Sequence, residues 1–239
     1  MTERRDKPKA ILAWSSGKDS AYALHRVREQ GRLEVTALLT TVTDDYSRVS
    51  MHGVREEILD LQAERAGLPL IKVRIPAPCP NEVYEKAMAE ALAPLPGRGV
   101  RQVVFGDLFL ADLRAWREER LAGVGMEGVF PLWGEETGAL ARRMIADGVR
   151  AHVVCLDPAK VDPMLAGHAF DEAFLRQLDG TVDPCGENGE FHTLVSGGPC
   201  FDRAFDLKPA QRVEREGFVF ADFYLNSEHV LGDKGAAFG

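Results

Sequence analysis

Apolar and amphipathic stretches alternate through the first half of the chain. "KAILAW", from Lys9 to Trp14, is a short apolar run that reads as a buried strand. From about Ser20 to Gln30, Ala21, Leu24 and Val27 recur every three residues and predict the inner face of a helix. "EVTALLTTV", beginning at Glu34, is apolar and β-branched and predicts a second strand. "VREEILDLQAERAG" follows as a helix, with Val54, Ile58, Leu61 and Gln62 near one face and Gly67 as its stop. "LIKVRI" predicts a third strand and "NEVYEKAMAEALAPL" a helix with Asn81 as N-cap; "RQVVFGD" predicts a fourth strand and "ADLRAWREERLAGVG" a helix. This order predicts an α/β fold with a doubly wound parallel sheet covered on both faces.

The pattern changes after "VFPLWG". "EETGALARRMIADG" predicts a helix, "VRAHVVCLDP" a strand, and "AFDEAFLRQLDG" another helix. A Gly-rich turn segment, "VDPCGENGEFHTLVSGGP", then leads into a strand-rich end typified by "EGFVFADFYL". A boundary near Trp133–Gly134 is expected, giving a nucleotide-binding domain over 1–133 and a smaller α/β substrate domain over 134–239.

The first strand-to-helix turn carries the strongest chemical signal. It reads Ser15-Ser16-Gly17-Lys18-Asp19-Ser20. A helix start leaves backbone N–H groups free and carries partial positive charge, which suits an anion. Gly17 permits a sharp turn and close approach, three hydroxyls add donors, and Lys18 adds a cation. An ordinary Ser-capped helix start is the plainer reading. The loop is not of the G-x-x-x-x-G-K-[ST] type, because Leu12 and Asp19 stand where that pattern needs Gly and Ser or Thr. In a parallel sheet, ligands bind beyond the carboxyl ends of the strands, at the point where strand order reverses. Ser15–Ser20, Thr43-Asp44-Asp45 and Gly106-Asp107 all lie at such ends.

Charge and cysteine usage narrow the function classes. A net charge of −8 argues against a broad nucleic-acid or membrane-binding face. The four cysteines, Cys79, Cys155, Cys185 and Cys200, form no C-x-x-C pair, so neither a zinc site nor a dithiol motif is supported. No apolar stretch approaches the length of a membrane span, and "MTERRDKPKA" lacks a signal-peptide core. A cytoplasmic protein with reduced thiols is expected.

Ser15–Ser20 resembles the S-G-G-x-D-S loop of the ATP pyrophosphatases, with Ser16 in place of the first Gly. "GDLFLADLRAWREERLAGVGMEGVFPLW" and "DPCGENGEFHT" narrow the resemblance to the diphthine–ammonia ligase family, within the adenine-nucleotide α-hydrolase-like, Rossmann-like fold. It runs from about Lys9 to about Gly198. The resemblance implies ATP-dependent amide synthesis with Mg²⁺: a carboxylate is adenylated, pyrophosphate leaves, ammonia attacks, and AMP is released. Asn188 and His192 depart from the E-G-G-E-[FY]-E-T stretch of the diphthamide-forming enzymes. This looks like the bacterial-type branch, for which a cobalamin precursor in salvage is an alternative acid.

Site expectations follow. Ser15, Ser16, Gly17, Lys18, Asp19 and Ser20 hold the phosphates, with Lys18 stabilising the departing pyrophosphate. Adenine is read near Leu39–Thr43, with Thr41 a contact, and His52 of "SMHGV" and Gly106 face the nucleotide. Ser50 can cap the helix that follows. Asp107 is the candidate metal ligand or substrate contact. If "EFHT" is extended, Glu190 and His192 share one face, and Phe191 and Thr193 the other. Glu190 and His192 are then the catalytic pair, able to orient substrate or take a proton from ammonium, and His192 is expected to titrate near neutrality. Arg114, Glu187, Asn188 and Thr193 are candidate substrate contacts, although "RAWREER" also fits an exposed salt-bridged helix. Expected partners are a small or protein-borne carboxylate and ammonia; a homodimer is left open. The rival readings are a tRNA-modifying pyrophosphatase of the same loop class and a non-catalytic nucleotide sensor.

Overall fold

The computed structural model describes residues 7–44, 48–49 and 52–226. The elements run β1 (Lys9–Ala13), α1 (Lys18–Gln30), β2 (Glu34–Thr43), β3 (Arg48–Val49), α2 (Glu56–Ala66), β4 (Leu70–Ile75), α3 (Asn81–Leu92), β5 (Val100–Val104), α4 (Ala111–Ala122) and β6 (Glu127–Val129). They continue with α5 (Thr137–Ala146), β7 (Arg150–Leu156), α6 (Glu172–Leu175), β8 (Phe191–Gly197), β9 (Leu207–Arg215) and β10 (Phe218–Leu225). Among the described residues no helix is long and apolar enough to cross a membrane.

The first sheet is doubly wound, as the alternation predicts. β1 pairs in parallel with β2 on one side and β5 on the other; β4 joins β2 and β6 joins β5, also in parallel. Short β3 pairs antiparallel with the end of β2. The chain therefore moves outward from β1 through β2 to β4, then restarts on the other side at β5. The reversal lies between β1 and β5, and the loops after these two strands meet there.

The second sheet is antiparallel throughout, in the order β8-β7-β10-β9. Alternate residues of β1 face two cores. Ile11 packs with Leu39, Val103, Phe105 and Leu121 on the face covered by α3 and α4. Ala10, Leu12 and Trp14 join α1 and α2 in a core that continues into β7 and β8. That continuity crosses the connector at Trp133–Gly134.

Several local expectations are corrected. α1 begins at Lys18 rather than Ser20, so Lys18, Asp19 and Ser20 form its first turn. Tyr22 and Ala23 are buried besides the predicted Ala21, Leu24 and Val27. β8 packs against α1, so the helix is covered on more than the sheet side. Asn81 is the first helical residue of α3, and Pro80 occupies the cap position. The helix expected over 169–180 is confined to Glu172–Leu175, capped by the Asp171 carboxylate on the Phe174 N–H. β6 and β9 are strands that the pattern did not single out. Ser50 and Asp45 lie outside the described residues.

Candidate active site

The Ser15–Ser20 loop folds as a ring of internal hydrogen bonds. The Ser20 hydroxyl donates to the Gly17 carbonyl at 3.0 Å, and Ser15 Oγ lies 3.2 Å from Ser20 Oγ. The Gly17 N–H reaches Ser15 Oγ at 3.3 Å. The two hydroxyls thus brace the turn as well as bordering the cavity beside it. The loop also docks on the second sheet. The Lys18 N–H donates to Thr193 Oγ1 at 3.0 Å, and the Val195 N–H donates to the Ser16 carbonyl at 2.9 Å. Gly17 and Gly106 are glycines by necessity. A Cβ at Gly17 would stand 2.9 Å from His52 Cε1, and one at Gly106 would stand 2.7 Å from the Asp19 carbonyl carbon.

Beyond the ends of β1, β2 and β5 lies a cavity of about 610 Å³. Its floor is Ser15, Asp19, Ser20 and the β2 segment Leu39-Thr40-Thr41. One wall is apolar and comes from two helices at four-residue spacing: Tyr84, Met88 and Leu92 of α3, and Leu113 and Leu121 of α4. Arg117 continues the α4 row. The opposite wall holds His52, Glu187, His192 and Thr193. Thr40 Oγ1 and Asp19 Oδ1 are buried without a hydrogen-bond partner, so two polar atoms of floor residues are available to a ligand.

The electrostatics are acidic. Asp19, Asp107 and Glu187 all border the cavity. Arg117 holds Asp107 through two contacts, at 2.7 and 3.3 Å. Burial nevertheless raises the Asp107 pKa, with Arg117 opposing. Glu187 accepts the Leu108 N–H at 2.7 Å and the Phe109 N–H at 3.4 Å. Burial, reinforced by Asp19 and Asp107, pushes the Glu187 carboxyl up to about 7 against those two donors. The histidines behave oppositely. Burial lowers His52 to about 4 and His192 to about 3, so both are neutral imidazoles at physiological pH. His52 Nδ1 lies 3.0 Å from the Thr193 carbonyl, which assigns the proton to Nδ1 and leaves Nε2 an acceptor.

The family models settle the relationship. Residues 8–127 match the diphthamide synthase N-terminal domain, and residues 136–226 match its C-terminal domain. The chain belongs to the diphthamide synthase family. It is 24% identical to the diphthine–ammonia ligase of Schizosaccharomyces pombe over 92% of its own length, and it spans 39% of that relative.

In this member of the family, the expected residues separate into two sets. Ser15, Asp19, Ser20, Thr41, His52, Gly106, Asp107, Glu187, His192 and Thr193 border one cavity, although they come from loops as much as 178 residues apart in the chain (193 − 15 = 178). Ser16 and Gly17 shape the loop beneath it. The others point elsewhere. Lys18 is 1% exposed, and its ammonium reaches Asp19 Oδ2 at 2.9 Å and the Cys185 carbonyl, between the rings of Phe170 and Phe191. Burial works against its charge, but Asp19 and its other anionic neighbours keep its pKa above the ordinary lysine value. It holds the two sheets together rather than lining the cavity.

Glu190 is also turned away. It precedes β8, is buried, and its Oε1 accepts from the Asp183 N–H and Asn188 Nδ2. It shapes the 183–190 turn and forms no pair with His192. Asn188 is exposed, with its carbonyl taking Lys160 Nζ. Arg114 stacks on Phe130 and Trp133 and pairs with Glu118, outside the cavity. Asp107, expected as a metal ligand, is engaged by Arg117. The cavity-lining residues that sequence reasoning did not single out include Tyr84, Met88 and Arg117. The i, i+4, i+8 rows on α3 and α4 were the available signal.

Proposed function

We propose that the chain is an AMP-forming amide ligase: it adenylates a carboxylate with ATP, and ammonia then displaces AMP. The observation that carries this reading is the anion-suited loop at the strand-order reversal, opening on a cavity with one apolar wall and one polar wall. A cavity of that volume suits a nucleotide. The apolar wall of Tyr84, Met88 and Leu92 offers a surface for the base, and the β2 backbone with the unpartnered Thr40 hydroxyl offers edge contacts. The first turn of α1 and Ser15 take the phosphates.

Three carboxylates beside a polyphosphate demand a cation. Among the described residues, no group of three or more His, Cys, Asp or Glu forms a metal centre on its own. Mg²⁺ would fit here as an ion carried by the phosphates, and Asp19, whose Oδ1 is buried without a partner, would be the residue to hold it. When bound it neutralises charge on the pyrophosphate as that group leaves.

Glu187 fits the proton-accepting role that ammonia transfer requires, since its carboxyl titrates near the working pH. Neutral His52 presents an acceptor nitrogen over Gly17. The acid is diphthine on a protein or, in the alternative taken from "GENGEFHT", a cobalamin precursor; amide formation assayed with each acid in turn distinguishes them. The direct test is calorimetry with ATP in the presence and absence of Mg²⁺. Binding that requires Mg²⁺ and is lost in Ser15→Ala/Ser20→Ala supports the reading. An unaltered affinity in that double variant contradicts it.

A further inference from the structure

Gln62 of α2 is fully buried, yet it carries a polar head into the boundary between the two sheets. Its Oε1 accepts from Trp14 Nε1 at 3.0 Å. The indole can only donate, which fixes the amide orientation. Both remaining N–H groups are then used: Nε2 donates to the Ser16 carbonyl at 3.1 Å and to the Val195 carbonyl at 2.7 Å. The Ser16 carbonyl also receives the Val195 N–H at 2.9 Å. One carbonyl of the phosphate loop is thus held by two donors, one from α2 and one from β8.

That carbonyl belongs to an unfavourable residue. Ser16 has φ of 70°, and among the described non-glycine residues only Glu216 shares a positive φ. An L side chain in this region crowds its own carbonyl. The Ser16 hydroxyl is buried without a partner, so it does not compensate locally. Within the hexapeptide, the Gly17 N–H on Ser15 Oγ at 3.3 Å spans the turn, but the bonds to the Ser16 carbonyl itself come from outside it. The turn nevertheless sets the direction in which the first turn of α1 meets the cavity.

We propose that Gln62 is a positioning residue for the phosphate loop: it holds the Ser16 carbonyl, and through it the left-handed turn that aims the start of α1 at the nucleotide. The consequence for ATP rests on the nucleotide reading above. The consequence for the loop does not.

The test is a double-mutant cycle. Gln62→Leu and the gentler, near-isosteric Gln62→Met are each made alone and together with Ser16→Gly. Glycine adopts the left-handed turn unaided, while the loss of partners for Trp14 and Val195 is common to both backgrounds and cancels. Gln62→Met alone should weaken ATP–Mg²⁺ binding on the order of tenfold, the scale of a left-handed non-glycine residue. With Ser16→Gly present, the same replacement should weaken binding less than about threefold. An equal loss in both backgrounds makes Gln62 a packing clamp and overturns the proposal. Hydrogen exchange at the Val195 amide, read without nucleotide, gives the independent arm. Its protection should fall in Gln62→Met and return with Ser16→Gly; unchanged protection overturns the proposal. A wild-type protein that binds no ATP defeats the functional reading and leaves this second arm to decide the role of Gln62.

Discussion

The rings of His52 and His192 lie 4.7 Å apart, centroid to centroid, one from the turn before α2 and the other from β8. On top of burial, His52 lowers the tendency of His192 to protonate, and the Lys18 charge lowers that of both. The folded-state values fall to about 4 and about 3, below the ordinary histidine value of about 6.5. The unfolded chain therefore binds more protons than the native state below about pH 6.5. Stability is complete above that pH and is lost as pH falls toward 4 and then 3, at up to about 1.4 kcal/mol per pH unit for each histidine. His192→Phe keeps a ring against His52 and removes one titration. Urea unfolding at pH 7 and pH 4.5 should show a smaller acid loss in this variant than in the wild type. An identical loss would mean that His192 is charged in the folded protein.

Glu187 works in the opposite direction. Its folded value of about 7 exceeds the ordinary glutamate value of about 4.5. Its contribution is present below pH 4.5 and is lost as pH rises through 7, partly offsetting the histidines between pH 4.5 and 6.5. In amide formation the deprotonated form is the useful one, so kcat/KM should rise through about pH 7. Glu187→Gln keeps an acceptor for the Leu108 N–H but cannot take a proton. It should lower amide formation on the order of 10²-fold, flatten that pH limb, and leave ATP affinity within a few-fold. A variant that keeps the limb at full amplitude assigns the base elsewhere.

Ser16→Gly should stabilise the protein. It relieves a left-handed backbone and removes an unpartnered buried hydroxyl. Against this stands the larger conformational freedom of glycine in the unfolded chain, leaving a net gain of about 1 kcal/mol. Denaturant midpoints measure this directly, and a loss of stability would show that the hydroxyl has a partner in solution.

Gly106→Ala tests the meeting of the two loops. Its Cβ would fall 2.7 Å from the Asp19 carbonyl carbon and 2.9 Å from the Ser20 amide nitrogen, both rigid backbone atoms. The start of α1 must move, and ATP affinity should drop at least about tenfold, the scale of a displaced anion site. Gly180→Ala serves as a control, because a Cβ there meets nothing within 4 Å and its φ lies outside the left-handed region. Equal affinities in wild type and Gly106→Ala would separate the β5 loop from the nucleotide.

How much of this was legible varies with the range of the interaction. The parallel sheet followed from alternating runs, and the loop followed from one hexapeptide after the first apolar run. Both are local signals. The apolar rows on α3 and α4 were visible as spacing, but spacing alone does not tell a cavity wall from a packed core. The surroundings of Lys18 were not legible because its partners, Cys185, Phe170 and Phe191, lie more than 150 residues away (170 − 18 = 152). The placement of Glu190 was not legible because strand alternation does not reach it: it lies one residue before β8, in a turn where its carboxylate accepts from Asp183 and Asn188. The depressed histidine pKa values come from burial by both sheets, which no single segment reveals.

The central claim is that ATP is cut between its α- and β-phosphates to drive amide formation. The most direct measurement is phosphorus-31 NMR of a reaction holding the protein, ATP, Mg²⁺, ammonium and the acid, alongside mass spectrometry of the amide. The account predicts AMP and pyrophosphate in equal amounts with the amide, all dependent on the carboxylate. ADP and phosphate as the products would contradict it.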